Sequence, residues 1–589
     1  MITPVEYQHG ALRENERCTR FSLWAPDANQ VAVVFSNGRS HALQAEDDGW
    51  FCARLECAEG QTYRFLIDQH LLVPDPASRA QIEGVQGPSQ VVDHQSYRWQ
   101  ATSWLGRPWH ETVIYEVHAG LFGGFVGVEA LLPSLVELGV TAIELMPIGE
   151  FPGQRNWGYD GVLPFAPASA YGTPAQLKHL IDTAHSLGLM VFIDVVYNHF
   201  GPEGNYLGQY ARAFFNMQAQ TPWGPSIDFQ RQQVRDFFCE NALMWVLDYR
   251  VDGLRLDAVH AIPEQGFLVE LAERVHGAVG GNRQVHLILE NEDNSASLLN
   301  KGYVAQWNDD GHNVLHVLLT GEKQGYYADF RQDPTRKLLR CLAEGFVYQG
   351  HLNRHSQSRG ETSAHLPPTS FVLFLQNHDQ IGNRAFGERL IELANEDVLK
   401  AAIALLLLCP MIPLLFMGED WGARQPFLYF TDYREPLATA VREGRRNEFS
   451  EFAEFADPAQ RERIPDPNAL SSFADSLPLF DPRQNPEQQA WRDYYQKLLQ
   501  LRHEHLLPRL PGAHSERLSL FAEGAIAAVW RLGDDSLLRI DLNLSDTAVR
   551  GEALNPAARL LFSRGLDLDQ FAQGTLAPRS IAVSLEPSP

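Results

Sequence analysis

Short apolar runs alternate with amphipathic helical segments over most of the chain, from about residue 112 to residue 510. Polar or turn-forming residues bound each apolar run, and the helical segments repeat apolar residues at three- and four-residue spacing. Strands that alternate with helices in this way predict βαβ units and a parallel sheet.

The clearest unit is GTPAQLKHLIDTAHSLGLMVFIDVVYNHF. Thr173 can cap a helix, Pro174 fits the first helical position, and Gln176 completes a capping box. Gly188 is typical of a helix C-terminus. The mostly apolar run at residues 189–196 then predicts a strand that is buried on both faces.

Eight such strands are predicted, within VIYEVHAG, TAIELMPI, LMVFIDVVYNH, VDGLRLDAV, VHLILEN, YVAQWND, SFVLFLQNHD and MIPLLFMG. Eight strands spread over about 400 residues predict a (β/α)8 TIM barrel with insertions. A doubly wound open sheet is the alternative. The apolar run at residues 398–418 is interrupted by Lys400, Pro410 and Pro413, so it predicts a buried helix and a buried strand rather than a membrane span.

Both ends of the chain have a different pattern. Residues 1–100 contain short β-rich runs between turns, which predict an N-terminal immunoglobulin-like β-sandwich. Residues 101–510 form the predicted catalytic barrel, and short strands return in residues 511–589 as a small C-terminal β domain. A length of 589 residues agrees with several domains.

Charge and cysteine content narrow the possible partners. The formal net charge is −25, which repels phosphate backbones and anionic lipid, so neither nucleic acid nor a membrane is an expected partner. The six cysteines form no CxxC pair, and the N-terminus MITPVEYQHG does not resemble a signal peptide. These features predict a cytoplasmic protein with free thiols.

The stretch VDGLRLDAVHAI places charges inside a predicted strand. Side chains alternate between the two faces of a strand, so Arg255 and Asp257 share one face. A buried unpaired charge is costly. We therefore expect both side chains to point into the barrel mouth, where each offsets the burial of the other; a purely structural ion pair is the alternative.

Polar residues cluster at the ends of four predicted strands, and the ends of barrel strands converge where active sites lie. The clusters are Asp194, Asn198 and His199 on the third strand, Arg255, Asp257 and His260 on the fourth, Glu290 and Glu292 on the fifth, and Asn377, His378 and Asp379 on the seventh.

The available groups indicate a reaction class. The chain has no GxSxG elbow, HExxH zinc motif, phosphate loop or dinucleotide fingerprint. Paired carboxylates are what glycoside hydrolysis requires, one to attack or stabilise the anomeric carbon and one to protonate the leaving oxygen. Each cluster alone could be structural, but four together favour a glycosidase.

Four short stretches resemble the motifs of the α-amylase superfamily, glycoside hydrolase family 13: DVVYNH, GLRLDAV, LILEN and QNHD. The resemblance implies a retaining double displacement with Asp257 as nucleophile, Glu290 as general acid/base and Asp379 as a third carboxylate that orients the sugar. Strand alternation does not choose between Glu290 and Glu292, but the motif favours Glu290.

The resemblance also implies sugar contacts. Arg255 would keep Asp257 ionised. His199 and His378 would bind the sugar at the cleavage subsite, and Tyr159, in NWGYD, would stack against it.

Longer stretches resemble the maltooligosyltrehalose trehalohydrolases of this superfamily: NHFGPEGNYL, QWNDDGHNVLHVLLTGE, QNHDQIGNRAFGERL and FLYFTDYREPLATAVREGRRNEF. Such enzymes hydrolyse the α-1,4 bond next to the terminal trehalose, which implies an oligosaccharide substrate and a separate enzyme that makes it. In the family pattern, WNDD precedes a bulky aromatic and paired histidines, whereas Gly311, His312 and Asn313 follow it here. We still expect Asp309, Asp310 or His312 near the leaving-group subsites.

Other activities remain open at this stage. A glycogen-debranching or branching enzyme would act on α-1,6 bonds, and a plain α-amylase would attack internal α-1,4 bonds. A catalytically dead glycan-binding protein would normally lack one of the three carboxylates. Asn198 resembles a calcium ligand of many amylases, but no aspartate-rich calcium loop is evident, so neither a metal nor a cofactor is expected.

Overall fold

The computed structural model describes residues 6–221, 224–281, 283–452, 455 and 457–587. Within them, eight parallel strands close into a barrel whose order in space follows the order along the chain. This confirms the predicted (β/α)8 barrel. The strands are Ile114–Val117, Ala142–Leu145, Met190–Val195, Gly253–Leu256, His286–Leu289, Ala305–Trp307, Phe371–Leu373 and Ile412–Phe416.

Part of the barrel interior is a packed apolar core rather than a channel. Trp109 packs against this cluster, and its indole donates a hydrogen bond to the carbonyl oxygen of Thr369 at 2.7 Å. The other buried members of the cluster are Ile114, Ala142, Met190, Phe192, Ile288, Ala305, Trp307, Val372, Phe374, Ile412 and Leu414.

The predicted cap begins helix Pro174–Ser186. Gln176 N–H donates to the Thr173 hydroxyl at 3.2 Å, and Thr173 N–H donates to the Gln176 side chain at 2.8 Å. Gly188 follows the helix with a φ of 80°, a left-handed conformation that suits glycine. The other long helices are Phe125–Leu138, Gln232–Leu243, Gln265–Val279, Asp309–Thr320, Pro334–Glu344, Glu396–Leu408, Leu437–Glu448 and Pro486–Leu501.

The long apolar run forms the predicted helix and strand. Helix Glu396–Leu408 begins after Asn395, whose side chain caps it, and strand Ile412–Phe416 completes the barrel. Ten of the helix residues are buried because the helix lies inside the fold. Among the described residues, no helix combines the length and apolar character needed to cross a bilayer.

The N-terminal region contains two antiparallel sheets that face each other. Phe21 of one sheet and Tyr63 of the other have ring centroids only 4.9 Å apart, which places aromatic side chains between the sheets. One sheet contains Gly10–Arg13, Cys18–Trp24, Gln44–Ala45 and Trp50–Glu56; the other contains Val31–Phe35, Ser40–Ala42, Thr62–Ile67, Leu71–Val73 and Ser89–Gln90.

The C-terminal region is an antiparallel sheet. It contacts the barrel region through Trp530, whose indole donates to the carbonyl oxygen of Leu342 at 3.1 Å. Its strands are His514–Ala522, Ala525–Arg531, Leu537–Asn543, Arg559–Arg564 and Ser580–Glu586, and a separate pair contains Val549–Arg550 and Thr575–Leu576. The domain boundaries at residues 100 and 510 stay predictions. Residues 1–5 and 588–589 of the predicted end domains lie outside the described residues.

All six cysteines are free thiols. Cys18 and Cys52 are half-buried, and the other four are buried.

Candidate active site

Charged residues replace apolar ones in the upper part of the barrel. Glu116 and Glu144 face each other in the register of the first two strands, and Asp194 and Arg255 do so on the third and fourth. All four are at most 2% exposed. These charges surround the barrel mouth, where enzymes of this fold carry their active sites.

The guanidinium of Arg255 holds three carboxylates. Nη1 donates to Asp194 Oδ2 at 2.6 Å and to Asp257 Oδ1 at 2.9 Å, and Nη2 lies 2.7 Å from Glu290 Oε2. Arg255 is 0% exposed. Opposite charges are what allow an arginine to be buried this deeply. Arg255 and Asp257 therefore pair as the strand pattern predicted.

Asp257 and Glu290 pair with the two terminal nitrogen atoms of the same guanidinium, Nη1 and Nη2. Asn198 Nδ2 donates to Asp257 Oδ2 at 2.9 Å, and Ala258 N–H donates to Glu290 Oε2 at 2.8 Å. The side chains of Asp257 and Glu290 are 12% and 17% exposed, so substrate can reach both. The two carboxyl groups therefore lie side by side at the mouth, and a pair of carboxyl groups is what glycoside hydrolysis requires.

The structure separates the two glutamates that strand alternation left equivalent. Glu290 lies against Arg255, whereas Glu292 is exposed and its backbone N–H donates to His260 Nδ1 at 3.3 Å. Glu290 is therefore the carboxyl group beside Asp257.

Asp379 lies in the first turn of the short helix His378–Gly382, which Asn377 caps. The Asp379 side chain is 38% exposed at the mouth. His378 is 1% exposed; its Nδ1 lies 2.5 Å from Glu116 Oε1, and its Nε2 lies 3.5 Å from Asp379 Oδ1. Burial alone lowers the pKa of His378, but the charges of Asp379 and Glu116 raise it to about 9.

Tyr159 and His199 lie beside these groups. The Tyr159 ring stacks on His378 with 5.0 Å between centroids, and its hydroxyl donates to Asp194 Oδ2 at 2.6 Å. His199 pairs with Asn198, and its Nε2 lies 3.0 Å from the carbonyl oxygen of Tyr159. Burial lowers the pKa of His199 to about 4 and raises the pKa of Asp194 to about 7. His199 is consequently neutral at pH 7.

The helix that follows the sixth strand contributes one residue, Asp309, to the mouth. Asp309 remains partly exposed. Burial, followed by the charges of Glu290 and Asp379, raises the pKa of Asp309 well above its usual range, which places its carboxyl group near theirs.

Asp310 and His312 face the interior of the protein instead. Asp310 is 0% exposed, and its Oδ2 accepts hydrogen bonds from Asn294 and from the backbone N–H groups of Val347 and Tyr348. His312 is 1% exposed, and its Nδ1 lies 2.8 Å from the carbonyl oxygen of Leu375. Both side chains thus contact other segments of the chain, and their expected place near the leaving-group subsites stays a prediction.

Four residues at the mouth were not identified from the sequence: Glu116, Glu144, Trp307 and Tyr326. Glu116 contacts His378, and Trp307 lies against Arg255. Tyr326 is 75% exposed, and partial burial of its hydroxyl together with the charges of Glu448 and Asp379 raises its pKa. An exposed aromatic ring near Asp379 is a suitable surface for a sugar.

Known proteins resemble the chain over nearly its full length. The family model for the α-amylase catalytic domain matches residues 110–221, and a domain of unknown function matches residues 513–583. The malto-oligosyltrehalose trehalohydrolase of Deinococcus radiodurans is 38% identical, covering 92% of each chain. The chain belongs to the malto-oligosyltrehalose trehalohydrolase family. The trehalohydrolase of Saccharolobus solfataricus is 41% identical over 73% of this chain and 78% of its own.

Solved structures support this trehalohydrolase fold. A putative α-amylase from Salmonella typhimurium is 42% identical and has a TM-score of 0.92, covering 99% of this chain and 100% of that one. A Bacillus subtilis pullulanase has a TM-score of 0.73 at 18% identity, covering 99% of this chain and 86% of its own. The likeness to the pullulanase concerns the fold alone.

Proposed function

We propose that this protein hydrolyses the α-1,4-glucosidic bond next to the terminal trehalose of a maltooligosyltrehalose and releases trehalose. The observation that carries the mechanism is the pairing of Asp257 and Glu290 on Arg255, with Asp379 at the same mouth. The names of its relatives support the choice of substrate.

In the first step, an oxygen of Asp257 attacks the anomeric carbon of the glucose at the cleavage subsite. Glu290 gives its proton to the glycosidic oxygen, the bond from carbon to that oxygen breaks, and trehalose leaves. The remaining glucan is now an ester of Asp257. Arg255 donates a hydrogen bond to Asp257 Oδ1 at 2.9 Å and so orients the attacking carboxyl group.

In the second step, water replaces the leaving trehalose. Glu290, now ionised, takes a proton from this water. The oxygen of the water attacks the anomeric carbon, and the bond from that carbon to Asp257 breaks. Two inversions give net retention, and the enzyme returns to its starting protonation state. Asp379 and His378 hold the sugar hydroxyls in both steps, and Tyr159 packs beside them.

Selection of trehalose depends on the leaving-group side of the cleavage point, because maltose and trehalose differ in how their two glucoses join. A site that hydrogen-bonds the second glucose discriminates strongly, since the wrong sugar leaves buried polar groups unpaired. Asp309 is a candidate because it is partly exposed beside Glu290.

Product analysis tests this function. The purified protein is incubated with maltotriosyltrehalose and, separately, with maltopentaose and with amylopectin. Rapid release of trehalose, with slow attack on the other two glucans, is expected. Equal or faster attack on amylopectin would indicate a debranching or branching enzyme instead. The Asp257→Asn variant, assayed in parallel, shows whether any product comes from a contaminating enzyme.

The substrate requires a separate enzyme that forms the trehalose end of the glucan, so we propose a functional link to such an enzyme. The six free thiols support a cytoplasmic location, where thiols stay reduced.

A further inference from the structure

His378 is held by a single carboxylate from the first barrel strand. Glu116 Oε1 lies 2.5 Å from the ring Nδ1 of His378, and Glu116 Oε2 accepts the backbone N–H of His378 at 3.1 Å. Both residues are 1% exposed. Glu116 therefore fixes the ring and the backbone of His378 together, at the start of the helix that carries Asp379.

The remaining surroundings of His378 leave Glu116 as its main anchor. Nε2 faces Asp379 at 3.5 Å, and the rings of Tyr159, Trp157 and Trp307 pack around the imidazole. The other charged or titratable groups that act on this cluster are Arg255, Glu144 and His118.

We propose that Glu116 is a positioning residue for glycoside hydrolysis: it keeps His378 doubly protonated and directs its Nε2–H toward Asp379 and the bound sugar. A carboxylate beside Nδ1 accepts a hydrogen bond from Nδ1–H and stabilises the imidazolium cation, in which Nε2 is also a donor. A neutral imidazole with its proton on Nδ1 would present an acceptor to the sugar instead. This role rests on the proposed function, in which His378 contacts the sugar.

Glu144 provides a matched control one strand away. It faces Glu116 in the strand register and is likewise 1% exposed. Among the described residues, neither of its carboxyl oxygens has a hydrogen-bond partner. Burial, followed by the charges of Glu116 and Asp194, raises the pKa of Glu144 well above its usual range. Glu144→Gln therefore changes a buried carboxyl group that makes no hydrogen bond within the described part of the chain, whereas Glu116→Gln changes the one that holds His378.

The experiment follows the titration of His378 directly. Full-length protein is labelled with ¹³Cε1-histidine, and the His378 signal is assigned by its absence in His378→Asn. The wild-type midpoint is expected above pH 8. Glu116→Gln should lower it by about one pH unit or more, because loss of a neighbouring anion destabilises the imidazolium. Glu144→Gln should leave the midpoint within a few tenths of a unit.

Kinetics supply the second measurement. Glu116→Gln should lose about 10–100-fold in kcat/KM, the scale of a small misplacement of a site group. A wild-type midpoint below pH 7 would overturn the proposal, and so would equal midpoints in wild type and Glu116→Gln. If Glu116→Gln does not fold, the wild-type midpoint alone tests the proposal. The titration needs no substrate, so failure to release trehalose would refute the proposed function and leave this result intact.

Discussion

The guanidinium of Arg255 lies over the indole ring of Trp307, with 4.2 Å between its central carbon and the ring centroid. The face of an aromatic ring attracts a cation electrostatically, and unlike a carboxylate it does not accept a proton. Arg255 thus has a neutral platform on one side and directs its nitrogen atoms toward Asp194, Asp257 and Glu290. The platform restrains the arginine in the plane where it contacts all three acids.

Replacing Arg255 should destabilise the protein in a pH-dependent way. Arg255→Met leaves three carboxylates without their cation, and breaking a buried ion pair on one side costs about 3–5 kcal/mol. Burial raises the pKa of Asp194 to about 7 although Arg255 lowers it, so loss of the cation raises this pKa further. The loss of stability therefore increases as pH rises above 7, where Asp194 ionises beside Arg255 in wild type but has no cation in the variant.

Urea unfolding at pH 7 and pH 9 measures this difference. Arg54→Met is the control, since the Arg54 side chain is 66% exposed and pairs with Glu14 at the surface. It should cost less than about 1 kcal/mol at either pH. A loss in Arg255→Met that is the same at both pH values would contradict the expectation.

Asp257→Asn should abolish turnover while oligosaccharide binding is largely retained. The amide keeps the shape of the side chain but cannot form the glycosyl ester. The value of kcat should therefore fall by roughly 10⁴–10⁶-fold, as it does when the nucleophile of other enzymes is removed. Trehalose release gives kcat, and titration calorimetry with maltotriosyltrehalose gives affinity. Near-normal activity would refute the assignment of the nucleophile.

Tyr326→Ala should weaken catalysis and leave stability almost unchanged. The ring is 75% exposed, so its removal leaves no cavity in the interior. The removal does take away an aromatic surface beside Asp379. KM for maltotriosyltrehalose should rise by about tenfold, and Tyr326→Phe should retain most of the wild-type value because it keeps the ring.

The neighbouring tyrosine is the control for this loop. Tyr327 stacks on His316 with 3.9 Å between ring centroids, so Tyr327→Ala should lower the melting temperature. If Tyr326→Ala lowers the melting temperature as much as Tyr327→Ala does, then Tyr326 supports the loop rather than the substrate.

Glu419, which follows the last barrel strand, should also make stability depend on pH. It is 7% exposed, and burial raises its pKa to about 7, although Tyr495 donates a hydrogen bond to it at 3.0 Å. The unfolded pKa is about 4.3, so the folded state binds the extra proton between roughly pH 4 and pH 7. Native stability from this group therefore falls as pH rises through that window.

Glu419→Gln removes the titration. The stability of the variant relative to wild type should increase between pH 5 and pH 8, which urea unfolding at the two pH values would measure. A relative stability that decreases over that interval would mean that Glu419 is ionised in the folded protein.

Much of the barrel could be predicted because its strands are short apolar runs between turn residues, and all eight predicted runs contain a barrel strand. The same patterns placed polar clusters at strand ends. Glu116 and Glu144 were missed although they carry the signal that identified Arg255, a charge inside a buried strand. That reasoning, applied to every strand, would have found both glutamates.

Other features were beyond sequence reasoning. Asp309 and Asp310 are consecutive residues of one helix, so their side chains point about 100° apart, and nothing in the sequence states which one faces the mouth. Tyr326 lies in the short 3₁₀ helix Gly325–Phe330 beyond the strands, which no periodic pattern in the sequence predicts. Its position depends on contacts that form only when the chain has folded.

The sharing of Arg255 among three acids also bears on how this site can change through evolution. A substitution at Asp194, Asp257 or Glu290 alters the charge balance of the other two, so its effect depends on which residues are already present. Single steps toward a different arrangement would pass through forms with an excess of buried charge. These four residues are therefore expected to be inherited together, and the substrate range of descendants to diversify through residues farther from the guanidinium.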